Sequence, residues 1–204
     1  MSVFLLFLLV VLVFVNGFFV AAEFALVRSR KTEMEKLAEE GSRGAERALR
    51  AIERIDEYLS AAQVGITMAS IGLGFLGEPA IAKLLEPVLG GVLGHGASVA
   101  ISVAIAYLVV TSAHVIVGEQ APKMVAITRA EEVLRVAATP FEWFRVIFRP
   151  VIWTLNSASN FVVTRILGLE IEGDIETMSS DELRRFIERI MCATATRSGR
   201  TRSR

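Results

Sequence analysis

The part of the sequence most able to do chemistry is His114-Val115-Ile116-Val117-Gly118-Glu119-Gln120-Ala121-Pro122-Lys123, where a glutamate closes an apolar run between a glycine and a proline. Pro122 has no N–H, so the carbonyl one turn earlier, that of Gly118, loses its helical partner. A free carbonyl beside a carboxylate suits a hard cation, which takes oxygen ligands. The competing reading is a capped helix end in which Lys123 neutralises Glu119. His114 stands five residues before Glu119, which is not the HExxH spacing of a zinc site, and reads as a packed polar residue.

Two other stretches carry polar groups within apolar surroundings. Asn16-Gly17 is followed by Ala21-Ala22-Glu23 at the end of a long apolar run. With Gly17, Asn16 is expected to open the helix and free a carbonyl. Glu23 is either an interfacial carboxylate paired with Arg28 or Arg30, or a group inside the bundle. In Gln63-Val64-Gly65-Ile66-Thr67-Met68-Ala69-Ser70, the residues Gln63, Thr67 and Ser70 recur at steps of four and three and share a helix face. Glycines at 72, 74 and 77 make the backbone that follows easy to unwind, although close packing between helices explains the same pattern.

The elements that hold these residues are membrane spans. Hydrophobic residues make up 53% of the chain, and the mean hydropathy is +0.52. That is too apolar for an ordinary soluble domain of this length. Met1–Ala22 contains no charge and is long enough to cross a hydrocarbon core of about 30 Å. It lacks the basic start of a signal peptide and is read as a retained span. Tyr58–Gly77 is a second uncharged run. Pro87–Gly118 is a third, whose start, Gly90-Gly91-Val92-Leu93-Gly94-His95-Gly96, reads as a loop. The spans are therefore expected at about 3–26, 58–77 and 97–118, in an all-α membrane protein with broken or kinked segments. Val151–Thr164 is uncharged but too short to span, and fits an interfacial or buried helix.

Lysine and arginine together equal aspartate and glutamate, 22 of each, so no net field points to nucleic acid. Their placement is uneven. Residues 28–57 carry eight basic groups, 78–96 only Lys83, and 119–150 carry five. The positive-inside rule then puts the N-terminus outside and the C-terminus in the cytoplasm of a cell-membrane protein. Residues 29–56 read as an amphipathic helix kinked near Gly41 and Gly44, and 130–167 as amphipathic helices at headgroup level, divided by Pro140 and Pro150. Residues 169–192 read as a polar linker and short helix. Residues 193–204, small residues alternating with arginine, read as a disordered tail foreign to the fold, on a chain that looks truncated. One cysteine, Cys192, and two histidines, His95 and His114, exclude a disulfide framework and a histidine-rich zinc site. With no convincing Ser–His pair or paired aspartates in the spans, the chain is not read as an enzyme. On residues alone the reading is a three-span bundle with intramembrane oxygen ligands, open to magnesium, calcium, sodium or a proton.

The same blocks resemble the transmembrane domain of the CorC/CNNM family of magnesium transporters. The resemblance rests on Asn16-Gly17-Phe18-Phe19 with Ala21-Ala22-Glu23-Phe24-Ala25-Leu26, on Leu59-Ser60-Ala61-Ala62-Gln63-Val64-Gly65-Ile66-Thr67, and on Gly118-Glu119-Gln120-Ala121-Pro122-Lys123. It runs from about Asn16 to Leu169. It implies three spans, a homodimer, and export of Mg2+ coupled to Na+. It implies an ion site drawing oxygens from the end of the first span, from Ser70, and from Gly118 and Glu119. Many members have serine where this chain reads Val20-Ala21-Ala22, so a contact there falls to a backbone carbonyl such as that of Ala21. Asn16 and Glu23 complete the candidate ligands. Full-length members continue into a paired CBS nucleotide-binding module that these residues do not contain, so ATP regulation is not expected within them. The alternative function is a membrane-embedded metal-binding sensor or scaffold for that module.

Overall fold

The computed structural model describes residues 2–93 and 95–168, so the linker, short helix and tail expected beyond 168 lie outside the described residues. All the described secondary structure is helical. Helix α1 is Ser2–Arg28, α2 Lys31–Glu39, α3 Arg43–Glu53, α4 Ile55–Leu93, α5 His95–Ala113, α6 Ala121–Thr128 and α7 Ala130–Phe161. A π-helical segment, His114–Gln120, joins α5 to α6, and a second one, Val162–Ile166, follows α7. The chain forms two compact units, Met1–Ser157 and a second beginning at Ala158, of which the described part is the end of α7 and the second π-helical segment.

Three stretches are long and apolar enough to cross a membrane: Phe4–Arg28, Ile55–Lys83 and Val99–Thr128. Each ends beyond the limit expected from uncharged runs alone, at Arg28, Lys83 and Thr128 instead of 26, 77 and 118, because the helices continue into charged flanks. The glycine-rich stretch expected as a loop is helical on both sides of Gly94, with α4 reaching Leu93 and α5 starting at His95. In an apolar setting no water competes for the backbone, and glycines that would fray a soluble helix stay in the ladder.

Charged residues organise the end of the bundle near Arg28. Residues 29–56 form two helices rather than one kinked one. Gly41, at φ 87°, ends α2, with Gly41 N–H donating to Ala38 O at 2.9 Å and Ser42 N–H to Leu37 O at 3.1 Å. The Ser42 hydroxyl then caps α3 by accepting from the Ala45 N–H at 3.4 Å. Helix α3 buries Ala45, Ala48 and Ala51, one small side chain per turn, and at Gly44 a Cβ would meet the Arg135 carbonyl at 2.6 Å. Helix α7 thus lies on α3 backbone to backbone. Glu142 of α7 receives Arg47 at 3.5 Å and Arg50 at 3.4 Å, and Arg145 meets Glu57 at 2.8 Å. These pairs are part-exposed and orient α7 more than they stabilise it, at about 0–1 kcal/mol each.

Pro140 and Pro150 do not divide α7, contrary to expectation; one helix runs through both. Both prolines are exposed, as are Val136 and Val146, whose carbonyls they orphan. Carbonyls open to water or headgroups need no ladder partner, so the helix continues instead of ending. Its buried face brings Phe141 edge-on to Tyr58, with ring centroids 5.2 Å apart. Phe144 reaches Phe19 of α1 at 4.5 Å, while Trp143 and Trp153 are exposed.

Small residues let α1 approach α4. A Cβ on Gly65 would stand 2.6 Å from the Phe19 ring. Gly65→Ala is therefore expected to destabilise the bundle by about 1–3 kcal/mol through overpacking, read as a lower melting temperature in detergent. An unchanged melt would show that Phe19 moves aside freely.

Candidate metal centre

The site forms where the third span leaves α-helical geometry. Between His114 and Gln120 the ladder widens to a π-helix, and the Ala121 N–H donates to Ile116 O, five residues back. One residue later Pro122 offers no donor, so the Gly118 carbonyl has no N–H four residues on. In an apolar interior such a group must find another partner. It finds Asn16, whose Nδ2 donates to Gly118 O at 2.8 Å.

Two glycines make this contact reachable. A Cβ on Gly17 would stand 2.9 Å from Pro122 Cγ, so α1 can lie against the α5–α6 junction only because that side chain is absent. A Cβ on Gly118 would meet His114 Cδ2 at 3.1 Å and both Asn16 Nδ2 and Val13 O at 3.4 Å. The second span completes the group. Ser70, half-buried on α4, donates from Oγ to Asn16 Oδ1 at 3.3 Å and lies 3.4 Å from His114 Nε2. Asn16 is 1% exposed, which in a span marks a polar side chain committed to its neighbours. An apolar cavity of about 290 Å³, lined among others by Val13, Leu73, Ala113 and Val117, lies directly beside this cluster.

The structure thus brings together Asn16, Ser70 and Gly118, one from each span. It does not bring in the other expected residues. Helix α1 is unbroken through Asn16-Gly17, because Gly17 serves close approach rather than opening, so the ladder breaks only in the third span. Ala21 and Glu23 are half-buried, about 7 and 10 Å along the helix from Asn16 at 1.5 Å per residue. Glu23 forms no ion pair with Arg28 or Arg30 among the described residues. Gln63 and Thr67 are exposed, whereas Ser70 is half-buried. Glu119 is exposed and has no ion pair among the described residues. Lys123 is turned elsewhere, with Nζ 4.6 Å from the centroid of the Phe24 ring, so it does not neutralise Glu119. His114 belongs to the cluster, which the sequence reading missed. The available signal was its spacing of four from Gly118, which puts both on one side of a helical turn.

No three His, Cys, Asp or Glu side chains converge among the described residues. The donors available at the junction are a carboxamide, a hydroxyl and a backbone carbonyl, with the Glu119 carboxylate next in the chain. This is an oxygen set suited to a hard cation, and it lacks the thiolates and clustered imidazoles of a structural zinc site.

Residues 7–190 match the family model described as the Cyclin M transmembrane N-terminal domain, CNNM. The chain belongs to the CNNM family. It is 43% identical over 187 residues to UPF0053 protein YhdP of Bacillus subtilis (strain 168), covering 89% of this chain and 41% of that protein. UPF0053 protein YhdT of the same organism is 43% identical over 183 residues, with 89% and 40% covered. Uncharacterized protein Rv1841c of Mycobacterium tuberculosis is 36% identical over 186 residues, with 88% and 51% covered. This CNNM domain spans about two-fifths to one-half of the length of those relatives. Three apolar spans and the family match make it a membrane-protein domain.

Replacing Asn16 by leucine, which is similar in size, leaves the Gly118 carbonyl buried without a donor. Asn16→Leu is expected to cost about 1–3 kcal/mol, read as a lower melting temperature. Unchanged stability would mean that water or another group takes over that carbonyl.

Proposed function

We propose that this CNNM domain carries Mg2+ across the cell membrane, exporting it with coupling to Na+ as a homodimer that alternates access around the Asn16–Ser70–Gly118 junction. The observation that carries this reading is the meeting of one oxygen-bearing residue from each span at the only interruption of the third helix among the described residues. The ion is cargo, and no bond is made or broken in moving it, so no enzymatic role is proposed.

The roles follow from chemistry. Mg2+ sheds water reluctantly and binds oxygen in near-octahedral geometry, so its site supplies a few protein oxygens and leaves room for water. Ser70 offers a hydroxyl, Gly118 a carbonyl and Asn16 a carboxamide oxygen. Glu119 supplies the negative charge that a divalent ion needs at membrane depth, and its carboxylate, unpaired among the described residues with Lys123 held on Phe24, suits that task. Ala21 and Glu23 are assigned to the path between the junction and the end of α1, where the ion regains its water. With the N-terminus outside, α2 and α3, which carry lysines and arginines balanced by glutamates, and the start of α7 lie on the cytoplasmic side.

The test is isothermal titration calorimetry of the purified domain with MgCl2 beside Glu119→Ala. Saturable binding in the parent and its loss in the variant, with an unchanged elution volume on gel filtration, is the expected result. Equal binding in both proteins would remove Glu119 from the site.

A further inference from the structure

The hydrogen bonds at the junction have a determined direction. The Gly118 carbonyl can only accept, so the Asn16 group facing it is the amide Nδ2 at 2.8 Å. The carboxamide oxygen therefore faces Ser70, which must donate its hydroxyl proton to Oδ1 at 3.3 Å. Ser70 Oγ is left as an acceptor for His114 Nε2 at 3.4 Å. The chain of donation runs from His114 to Ser70 to Asn16 to Gly118, from the third span through the second and first and back to the third.

In this arrangement Gly118 O, which a cation would use, already holds a protein N–H, and the amide protons of Asn16 point into the place where positive charge would sit. We infer that the Asn16 carboxamide is a two-position switch, which latches the first span to the π-helical segment when the site is empty and turns its oxygen toward the ion when the site is filled. The inference rests on the reading of this junction as the ion site.

A half-turn of the carboxamide exchanges Oδ1 and Nδ2. Alone it is unfavourable, because it sets Oδ1 against Gly118 O, two acceptors with no proton between them. A divalent cation between the two oxygens reverses that preference, so the ion selects the turned position. The rest of the chain follows with one proton shift: Nδ2 then donates to Ser70 Oγ, Ser70 donates to His114 Nε2, and the imidazole proton passes from Nε2 to Nδ1. His114 is thus a positioning residue that keeps Ser70 partnered in both states. The ion and the Asn16–Gly118 hydrogen bond exclude each other, and that bond is what ties α1 to the α5–α6 junction. Site occupancy is thereby coupled to the contact between the spans.

The chain has three asparagines, Asn16, Asn156 and Asn160, and the last two belong to α7. Asparagine-selective 15N labelling therefore gives three side-chain amide pairs, and Asn156→Gln and Asn160→Gln assign that of Asn16 by elimination. Titration with MgCl2 is expected to move the Asn16 pair, with the midpoint found by calorimetry, and to speed exchange of its protons with water about tenfold or more, as loss of a buried hydrogen bond requires. A second measurement uses Asn16→Asp, which cannot donate to Gly118 but offers oxygen in both positions. This variant is expected to bind Mg2+ about tenfold or more tightly and to melt lower than the parent without Mg2+ but not with it. If Mg2+ binds by calorimetry while the Asn16 amide pair stays in place, the switch is wrong and the ion site stands. If the parent gives no magnesium heat, the site reading falls and the switch falls with it.

Discussion

A break in the backbone ladder of the third span governs the arrangement of the three spans. Pro122 removes the donor that Gly118 O would meet in a regular helix, and hydrocarbon offers no water in its place. The group has to be satisfied from another helix, and Asn16 satisfies it at 2.8 Å. For Asn16 to reach it, α1 must lie directly against the α5–α6 junction, which the missing side chains of Gly17 and Gly118 permit. The widened turn from His114 to Gln120 then brings the imidazole to Ser70, so the second span joins the same network. A single local defect in one helix thereby fixes the mutual register of three.

Packing on either side serves that register. Toward the charged end, alanines on α1, α3, α4 and α7 and the edge-on aromatic rings of Phe19, Tyr58 and Phe141 form one continuous core. Beyond the junction, Leu9, Leu73 and Ala80 form a second apolar cluster, and Leu9 and Leu73 also line the apolar cavity.

Much of this was legible in the residues. Uncharged runs located the spans, and Pro122 alone identified the Gly118 carbonyl as free. The partner of that carbonyl was not legible, because the pairing of residues 16 and 118 depends on how α1 packs, which no local pattern encodes. Asn16-Gly17 looked like a place where a helix opens, whereas the glycine is there for Pro122 to approach. The prolines of α7 looked like helix ends because sequence alone does not reveal that the carbonyls they orphan face outward. Lys123 looked like a partner for Glu119 because it is four residues away, yet the ring of Phe24 holds it. Each miss concerns a tertiary contact overriding a local tendency.

The central claim, that this junction moves an ion rather than merely holding one, is tested most directly by flux. The domain would be reconstituted into liposomes containing a magnesium-sensitive dye, and a sodium gradient imposed across the bilayer. The account predicts magnesium movement that follows the sodium gradient and is abolished by Ser70→Ala. Magnesium binding without any movement across the bilayer would contradict it and make the junction a structural metal site.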